Sequence, residues 1–268
     1  MPTLLVTGAA PGPGRYVAFE PVRGGHPALA HGRGAGRTGR LVEELREGGD
    51  TEGFVAGPAC PARVREPAAQ VREPAAQVTE ACPGLDVLIG NAGVGFGAPG
   101  AGREPGADGH EPRPVVSHLA TAVLARALPP VPLVPRANAS ARIVDAGPAG
   151  QEPVDFAGPE LARGHGGVPA YCRGTCAPAA LAGEPAGTGV AVDVPHPAAS
   201  RDTAVVREAG VGPRRTVADG ARGVLAPATG DAGTGGRFDG TRPARAHAAA
   251  RGPEVRGRPA VAGRLLGM

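Results

Sequence analysis

Three groups of residues have types and spacings that could do chemistry. The first is Thr7-Gly8-Ala9-Ala10-Pro11-Gly12-Pro13-Gly14, a G-x-x-x-G-x-G pattern directly after the apolar run Leu4-Leu5-Val6. Between a strand and a helix, such glycines let the backbone approach a pyrophosphate that a Cβ would hold off, and the helix N-terminus then faces the anion. Pro13 suits a first helical turn but withdraws one N–H from the cradle. In a chain with 45 Gly among 268 residues an ordinary glycine turn would look the same, and the preceding apolar run is what favours the nucleotide reading. The second group is Cys172 and Cys176, whose i, i+4 spacing could turn two thiolates to one side of a helix. No third or fourth ligand lies near them in sequence, so they read as small packing residues and no metal site is expected. The third is His165 and His196, which have no H-x-x-x-H partner and read as loop residues near a substrate mouth or in solvent.

The elements that would position the glycine turn follow from the distribution of short apolar runs. Strand-like runs at 4–6, 28–30, 54–55, 85–89, 142–144 and 190–194 alternate with stretches of helical length at 38–47, 64–81, 115–128 and 171–184. Alternation of this kind predicts βαβ units and a parallel sheet, and no linker divides residues 1–268, so one domain is expected. The run at 85–89 ends in Gly90-Asn91-Ala92-Gly93, a second turn after an apolar strand. Prolines oppose this pattern. Val64-Arg-Glu-Pro-Ala-Ala-Gln70 is repeated at once as Val71 to Gln77, which adds about two helical turns but sets Pro67 and Pro74 inside a predicted helix. Each costs roughly 3 kcal/mol in a helix interior, and Pro21, Pro178 and Pro185 raise the same conflict elsewhere.

Composition bounds the class. Gly 45 and Pro 31 reach the range in which unperiodic composition suggests disorder, and Leu, Ile, Val and Phe together are only 51 of 268 residues. A formal net charge of +3 supplies almost none of the repulsion that disorder needs. The expectation is a folded α/β chain with a thin, alanine-filled core. All 28 basic residues are Arg, mixed along the chain with 25 Asp and Glu, and aromatics are 3%, so no nucleic-acid surface is expected. No 18-residue apolar run exists for a membrane span, and the four cysteines suit a reduced cytoplasm better than a disulfide scaffold. Cytoplasmic localisation is the resulting expectation.

On Thr7-Gly8-x-x-x-Gly12-x-Gly14, Asn91-Ala92-Gly93 and Tyr171 at the start of a later helix, the chain resembles the short-chain dehydrogenase/reductase family. Arg142-Ile143-Val144-Asp145 is similar to that family's fifth strand, His196-Pro197-Ala198 to its Pro-Gly loop, and Thr234-Gly235-Gly236 with Phe238-Asp239-Gly240 to its closing segment. The resemblance implies a single-domain, Rossmann-like doubly wound α/β sheet of about seven parallel strands. It also implies bound NADP or NAD, hydride transfer between nicotinamide and a small-molecule carbonyl or alcohol, and a homodimer or homotetramer.

The resemblance assigns Thr7, Gly8, Gly12, Gly14, Asn91, Ala92, Gly93 and Pro197 to the cofactor, with Asn91 on the adenine-ribose side. Arg33 matches an arginine that accepts the 2′-phosphate in NADP-dependent members, with no acidic residue beside it to favour NAD, although a solvated loop arginine would read the same way. Tyr171 matches the phenol that exchanges the proton; a half-buried structural aromatic is the alternative. The other catalytic positions depart from the family. Thr175 stands where a lysine would lower the phenol pKa, Pro148 where a serine would bind the substrate oxygen, and Ser117 where an asparagine would complete a proton relay. An unassisted tyrosine titrates near ~10, so impaired activity is expected. The alternatives are a dinucleotide-binding member without catalysis and a poorly folding relic.

Overall fold

The computed structural model describes residues 1–10, 12–55, 78, 80, 84–93, 121, 141–147, 190–196, 216–230 and 236–245. Within them the order is β1 (Leu4–Thr7), α1 (Pro13–Arg23), β2 (Ala28–Gly32), α2 (Ala35–Arg46), β3 (Thr51–Val55), β4 (Val87–Gly90), β5 (Ala141–Asp145), β6 (Val190–His196), α3 (Val217–Thr229), β7 (Gly236–Asp239) and β8 (Arg242–Ala244). The strands form one sheet in the order β3-β2-β1-β4-β5-β6-β7-β8. β1 to β7 are parallel to their neighbours; only β8 runs antiparallel, returning from β7 with Phe238 opposite Pro243. The expected parallel sheet of about seven strands is thus present, and the hairpin strand at its edge is an addition. With Pro243 in a three-residue strand, β8 makes a poor template for further pairing.

Both faces of the sheet are covered, which is why β1 and β4 read as unbroken apolar runs and not as alternating ones. Leu4, Val6, Ala28, Ala30, Val87, Ile89 and Val144 pack in one cluster with Val17, Ala18 and Val22 of α1, Leu41, Val42 and Leu45 of α2, and Ala221, Val224 and Ala228 of α3. The intervening residues Leu5, Leu29, Leu88, Val192 and Val194 are also buried but lie outside that cluster, on the opposite face. Alanine fills much of the helix side, as the composition predicted.

The helices show how the prolines are tolerated. α1 runs through Pro21, which is buried near its C-terminal end and gives up only one bond to the preceding turn. The helix stops at once afterwards: Gly25 takes a positive φ of 81°, its N–H reaches the Val22 carbonyl at 2.9 Å, and the His26 N–H reaches the Pro21 carbonyl at 2.9 Å. That is a Schellman closure. α2 starts at Ala35, earlier than the apolar spacing from 38 suggested, because its first turn carries no core residue; Thr38 is the first to be buried. α3 lies in a stretch the sequence reading passed over. Its start is a capping box in which Thr216 Oγ1 accepts from the Asp219 N–H at 3.1 Å and Asp219 Oδ2 accepts from the Thr216 N–H at 3.1 Å. The heptapeptide repeat and the predicted helices at 115–128 and 171–184 lie outside the described residues, except for single helical positions at Val78, Glu80 and Thr121.

The Arg142–Asp193 pair and His31 are polar features of the sheet with energetic consequences. Arg142 on β5 donates to Asp193 on β6 at 2.7 Å, with side chains 13% and 0% exposed. Burial pushes the Asp193 carboxyl up, and the Arg142 hydrogen bond and charge pull it partly back. His31, near the end of β2, has both ring nitrogens enclosed without a hydrogen-bond partner among the described residues. Burial lowers its pKa from 6.5 to about 4, so the ring is neutral in the fold.

Both groups generate measurable consequences. Asp193→Ala removes the carboxylate to which Arg142 donates and should cost about 1–3 kcal/mol in urea unfolding, whereas Arg142→Leu/Asp193→Val, which removes both charges, should recover most of that loss. A double variant no more stable than the single one would show that the pair is not the reason. For His31, a depressed folded-state pKa means that its contribution is complete above pH 6.5 and is lost as pH falls toward 4. Between pH 7 and pH 5 the protein should therefore lose about 2 kcal/mol more than His31→Phe does. Parallel stability curves for the two proteins would contradict the assignment.

Candidate functional site

The strand order places one crevice. β1 has β2 on one side and β4 on the other, so the chain leaves β1 in opposite directions, and the C-terminal ends of β1 and β4 border the switch point where doubly wound sheets bind ligands. The glycine turn and the Asn91 turn both lie there. β1 ends at Thr7, Gly8 follows at φ 63°, Gly12 takes φ 57°, and α1 begins at Pro13.

Gly14 is required by close approach. A Cβ there would run into the Gly8 carbonyl oxygen and come within 2.5 Å of Asn91 Nδ2, so any larger residue would force the turn away from the helix. Gly12 is different: its φ excludes most side chains, yet nothing lies within 4 Å of where a Cβ would be. The backbone at this point borders open space. α1 begins there with no side-chain cap and no acidic residue in its first turn, which leaves its N-terminal partial positive charge uncompensated.

Thr7 and Asn91 tie the two turns together. Thr7 Oγ1 donates to the Ile89 carbonyl at 3.2 Å and accepts from the N–H groups of Asn91 at 3.0 Å and Ala92 at 3.1 Å. Asn91 Nδ2 donates to the carbonyls of Thr7 and Gly8, each at 3.2 Å. The Asn91 amide group is therefore engaged in holding the glycine turn. Ala92 packs so close to Gly8 that a Cβ on Gly8 would lie 2.7 Å from its Cα, and Gly93 is exposed beyond.

β2 supplies the adjoining edge. The His31 carbonyl accepts from the Ala9 N–H at 2.9 Å, which joins the glycine turn to the end of β2. Gly32 packs against Thr38 of α2, so no larger side chain fits at that position. Arg33 is exposed immediately afterwards, and the Arg37 guanidinium lies near Gly34 at the start of α2, a helix that has no acidic residue in its first turn.

At the far side of the crevice, Gly90 at the end of β4 admits the side chains of Thr121 and Asp145: a Cβ on Gly90 would meet Thr121 Oγ1 and lie 2.5 Å from Asp145 Oδ1. His196 is the last residue of β6 and only half-buried. Its Nδ1 is 3.2 Å from the Gly147 carbonyl, which as an acceptor sets that nitrogen as the donor. The expectation of a loop or solvent position for His196 is corrected by this; its own carbonyl, accepting from the Gly240 N–H at 2.8 Å, holds it in the sheet.

Of the site residues named from sequence, the structure brings Thr7, Gly8, Gly12, Gly14, Asn91, Ala92 and Gly93 together at this crevice and sets Arg33 at the end of β2. Tyr171, Ser117, Pro148, Thr175 and Pro197 lie outside the described residues, as do His165, Cys172 and Cys176. Sequence reading missed His31 and the Asp145–Thr121 approach over Gly90. A polar residue in an apolar strand was the available signal at His31, but it belongs to no motif. Among the described residues, no group of three or more His, Cys, Asp or Glu could hold a metal ion, and no helix is long and apolar enough to cross a membrane.

Comparison with known proteins gives similarity in fold. No family model matches the chain, and no curated protein matches its sequence. Solved structures do match. An uncharacterized protein from Mycobacterium Paratuberculosis superposes with a TM-score of 0.74 at 20% identity, covering 100% of this chain and 94% of its own. A metagenomic short-chain oxidoreductase in complex with NADP gives a TM-score of 0.63 at 22% identity, over 91% of this chain and 98% of that one. A 3-ketoacyl-ACP reductase from Sinorhizobium meliloti gives 0.63 at 18% identity, over 90% and 98%. The chain thus has a Rossmann-like doubly wound fold of the kind found in short-chain oxidoreductases.

Proposed function

We propose that the protein is a short-chain oxidoreductase-type dinucleotide-binding protein that takes NADP(H). The observation that carries this is the pairing at the switch point: an open backbone at Gly12 leading into an uncapped helix, with Gly14 and Asn91 packed so that the turn cannot collapse into that space. A pyrophosphate fits such a place, since its charge is met by backbone N–H groups and the helix end. Pro13 withdraws one donor, so the cradle is weaker than an unbroken one.

Arg33 and the edge of β2 favour the 2′-phosphate over a free ribose. Gly32 leaves no room for the carboxylate that would accept ribose hydroxyls, while Arg33 and the start of α2 present positive charge. NADP(H), when bound, supplies or accepts the hydride. Tyr171 then gives or takes the proton at the substrate oxygen, with Thr175, Pro148 and Ser117 in place of the groups that would tune the phenol, bind the oxygen and relay the proton. A small-molecule carbonyl or alcohol is the substrate, turned over slowly. A non-catalytic dinucleotide-binding role is the second reading, favoured by an intact glycine turn beside the lost Ser and Lys positions. We assign the protein to the cytoplasm as a homodimer or homotetramer.

Fluorescence titration tests the cofactor reading. The protein should bind NADPH saturably and NADH more weakly. Gly12→Ala should lower NADPH affinity at least about tenfold while the melting temperature drops only a few degrees, because its strain is about 1–2 kcal/mol and its methyl group enters the open space. Arg33→Ala should weaken NADPH about 10–100-fold and leave NADH unchanged, the loss of a charged hydrogen bond. Absence of any binding up to millimolar cofactor would refute the reading. Turnover separates its two forms: Pro148→Ser/Thr175→Lys should raise carbonyl reduction at least about tenfold over the parent. A parent no faster than Tyr171→Phe would decide for the non-catalytic role.

A further inference from the structure

The chain just past β5 is held from both sides. The Ala146 N–H reaches the Gly90 carbonyl of β4 at 2.9 Å, and the Gly147 N–H reaches the Pro195 carbonyl of β6 at 3.0 Å. His196 adds a side-chain bond to the same glycine, its Nδ1 donating to the Gly147 carbonyl at 3.2 Å. Both polar groups of the buried Gly147 are thereby taken by the end of β6. The His196 carbonyl in turn accepts from the Gly240 N–H, past the end of β7, at 2.8 Å. One residue thus ties the ends of β5 and β7 to its own strand.

The sequence shows what a side-chain donor adds at this point. Pro148 follows Gly147, and a proline has no N–H by which its peptide unit could be anchored. The carbonyl of Gly147 is the one hydrogen-bonding group of that unit, and His196 takes it. Because a peptide unit is planar, holding the carbonyl also orients the bond to the Pro148 nitrogen, and with it the direction in which the chain enters residue 148. Residue 148 is where the proposed function puts the substrate oxygen, so this step rests on that reading. The sheet order sets this corner on the other side of the switch point from Arg33.

We infer that His196 is a positioning residue: by holding the Gly147–Pro148 peptide it fixes the segment that faces the carbonyl substrate. The role needs no contact with substrate or cofactor, which agrees with the burial of the second ring nitrogen.

The full-length Thr175→Lys protein tests this, since it keeps Pro148 and restores the charge that would tune the Tyr171 phenol. Adding His196→Leu should lower kcat about 10–100-fold, the scale of loss from a small misplacement, while the NADPH Kd stays within about twofold. His196→Asn puts an amide N–H where the ring Nδ1 stands and should keep most of the activity. His196→Gln carries the same amide one bond farther out and should lose activity as His196→Leu does. Unchanged kcat in His196→Leu, or His196→Asn no better than His196→Gln, would overturn the assignment and leave the proposed function standing. A loss of NADPH affinity as large as the loss of kcat would overturn it too, as the mark of a merely structural role. The parent protein gives a readout without variants or turnover: nitrogen resonances of the neutral His196 ring should show its proton on Nδ1, and a proton on Nε2 would overturn the bond itself. A Thr175→Lys protein that binds NADPH without turnover would overturn both this inference and the catalytic form of the proposed function.

Discussion

The structure depends on one close approach, that of the turn after β1 to the turn after β4. The Gly8 carbonyl sits where any side chain on Gly14 would have to be, and the Asn91 amide donates to that same carbonyl. Three backbone segments therefore meet there, bridged by the Thr7 hydroxyl and the Asn91 amide: the end of β1, the start of α1 and the end of β4. Thr7 makes the contact specific, because a single hydroxyl both donates to β4 and accepts from the two N–H groups that follow it. Beside this meeting point the backbone at Gly12 borders open space.

The rest of the sheet can be seen as support for that meeting point. Helices α1, α2 and α3 press one face with small and branched side chains, so strands and helices pack closely despite few large residues. Alanine and glycine reduce the area each residue buries, but they also let backbones approach, as at Gly32 with Thr38 and Gly53 with Val42. The same composition that thins the core permits the tight crevice. The Arg142–Asp193 pair ties β5 to β6 through side chains as well as through the backbone ladder.

Prolines interrupt helices without breaking the described fold because of where they stand. Pro21 is close to the end of α1, and Pro227 is close to the end of α3, so each removes a hydrogen bond from a turn that was about to finish. Reading Pro21 as a simple helix breaker overstated the conflict for α1. The opposite error arose at β8 and α3. A three-residue edge strand has too little pattern to be recognised, and the Ala and Gly content of α3 hides its periodicity, though the Thr216–Asp219 capping box was a usable signal.

The class of the sheet and the two turns that border its switch point were legible in the sequence. Apolar runs followed by glycine turns at Gly8 and Gly90 are local signals, since backbone conformation near a glycine is governed by its immediate neighbours. Tertiary structure alone decided what those residues do to one another. That the Asn91 amide is turned onto the glycine loop, that Gly14 is a contact and Gly12 an opening, and that His31 is enclosed beside them depend on how distant segments meet, Asn91 and Gly8 being 83 residues apart. Local patterns cannot encode such contacts, because the neighbours that desolvate or hydrogen-bond a group arrive only when strands from distant segments align.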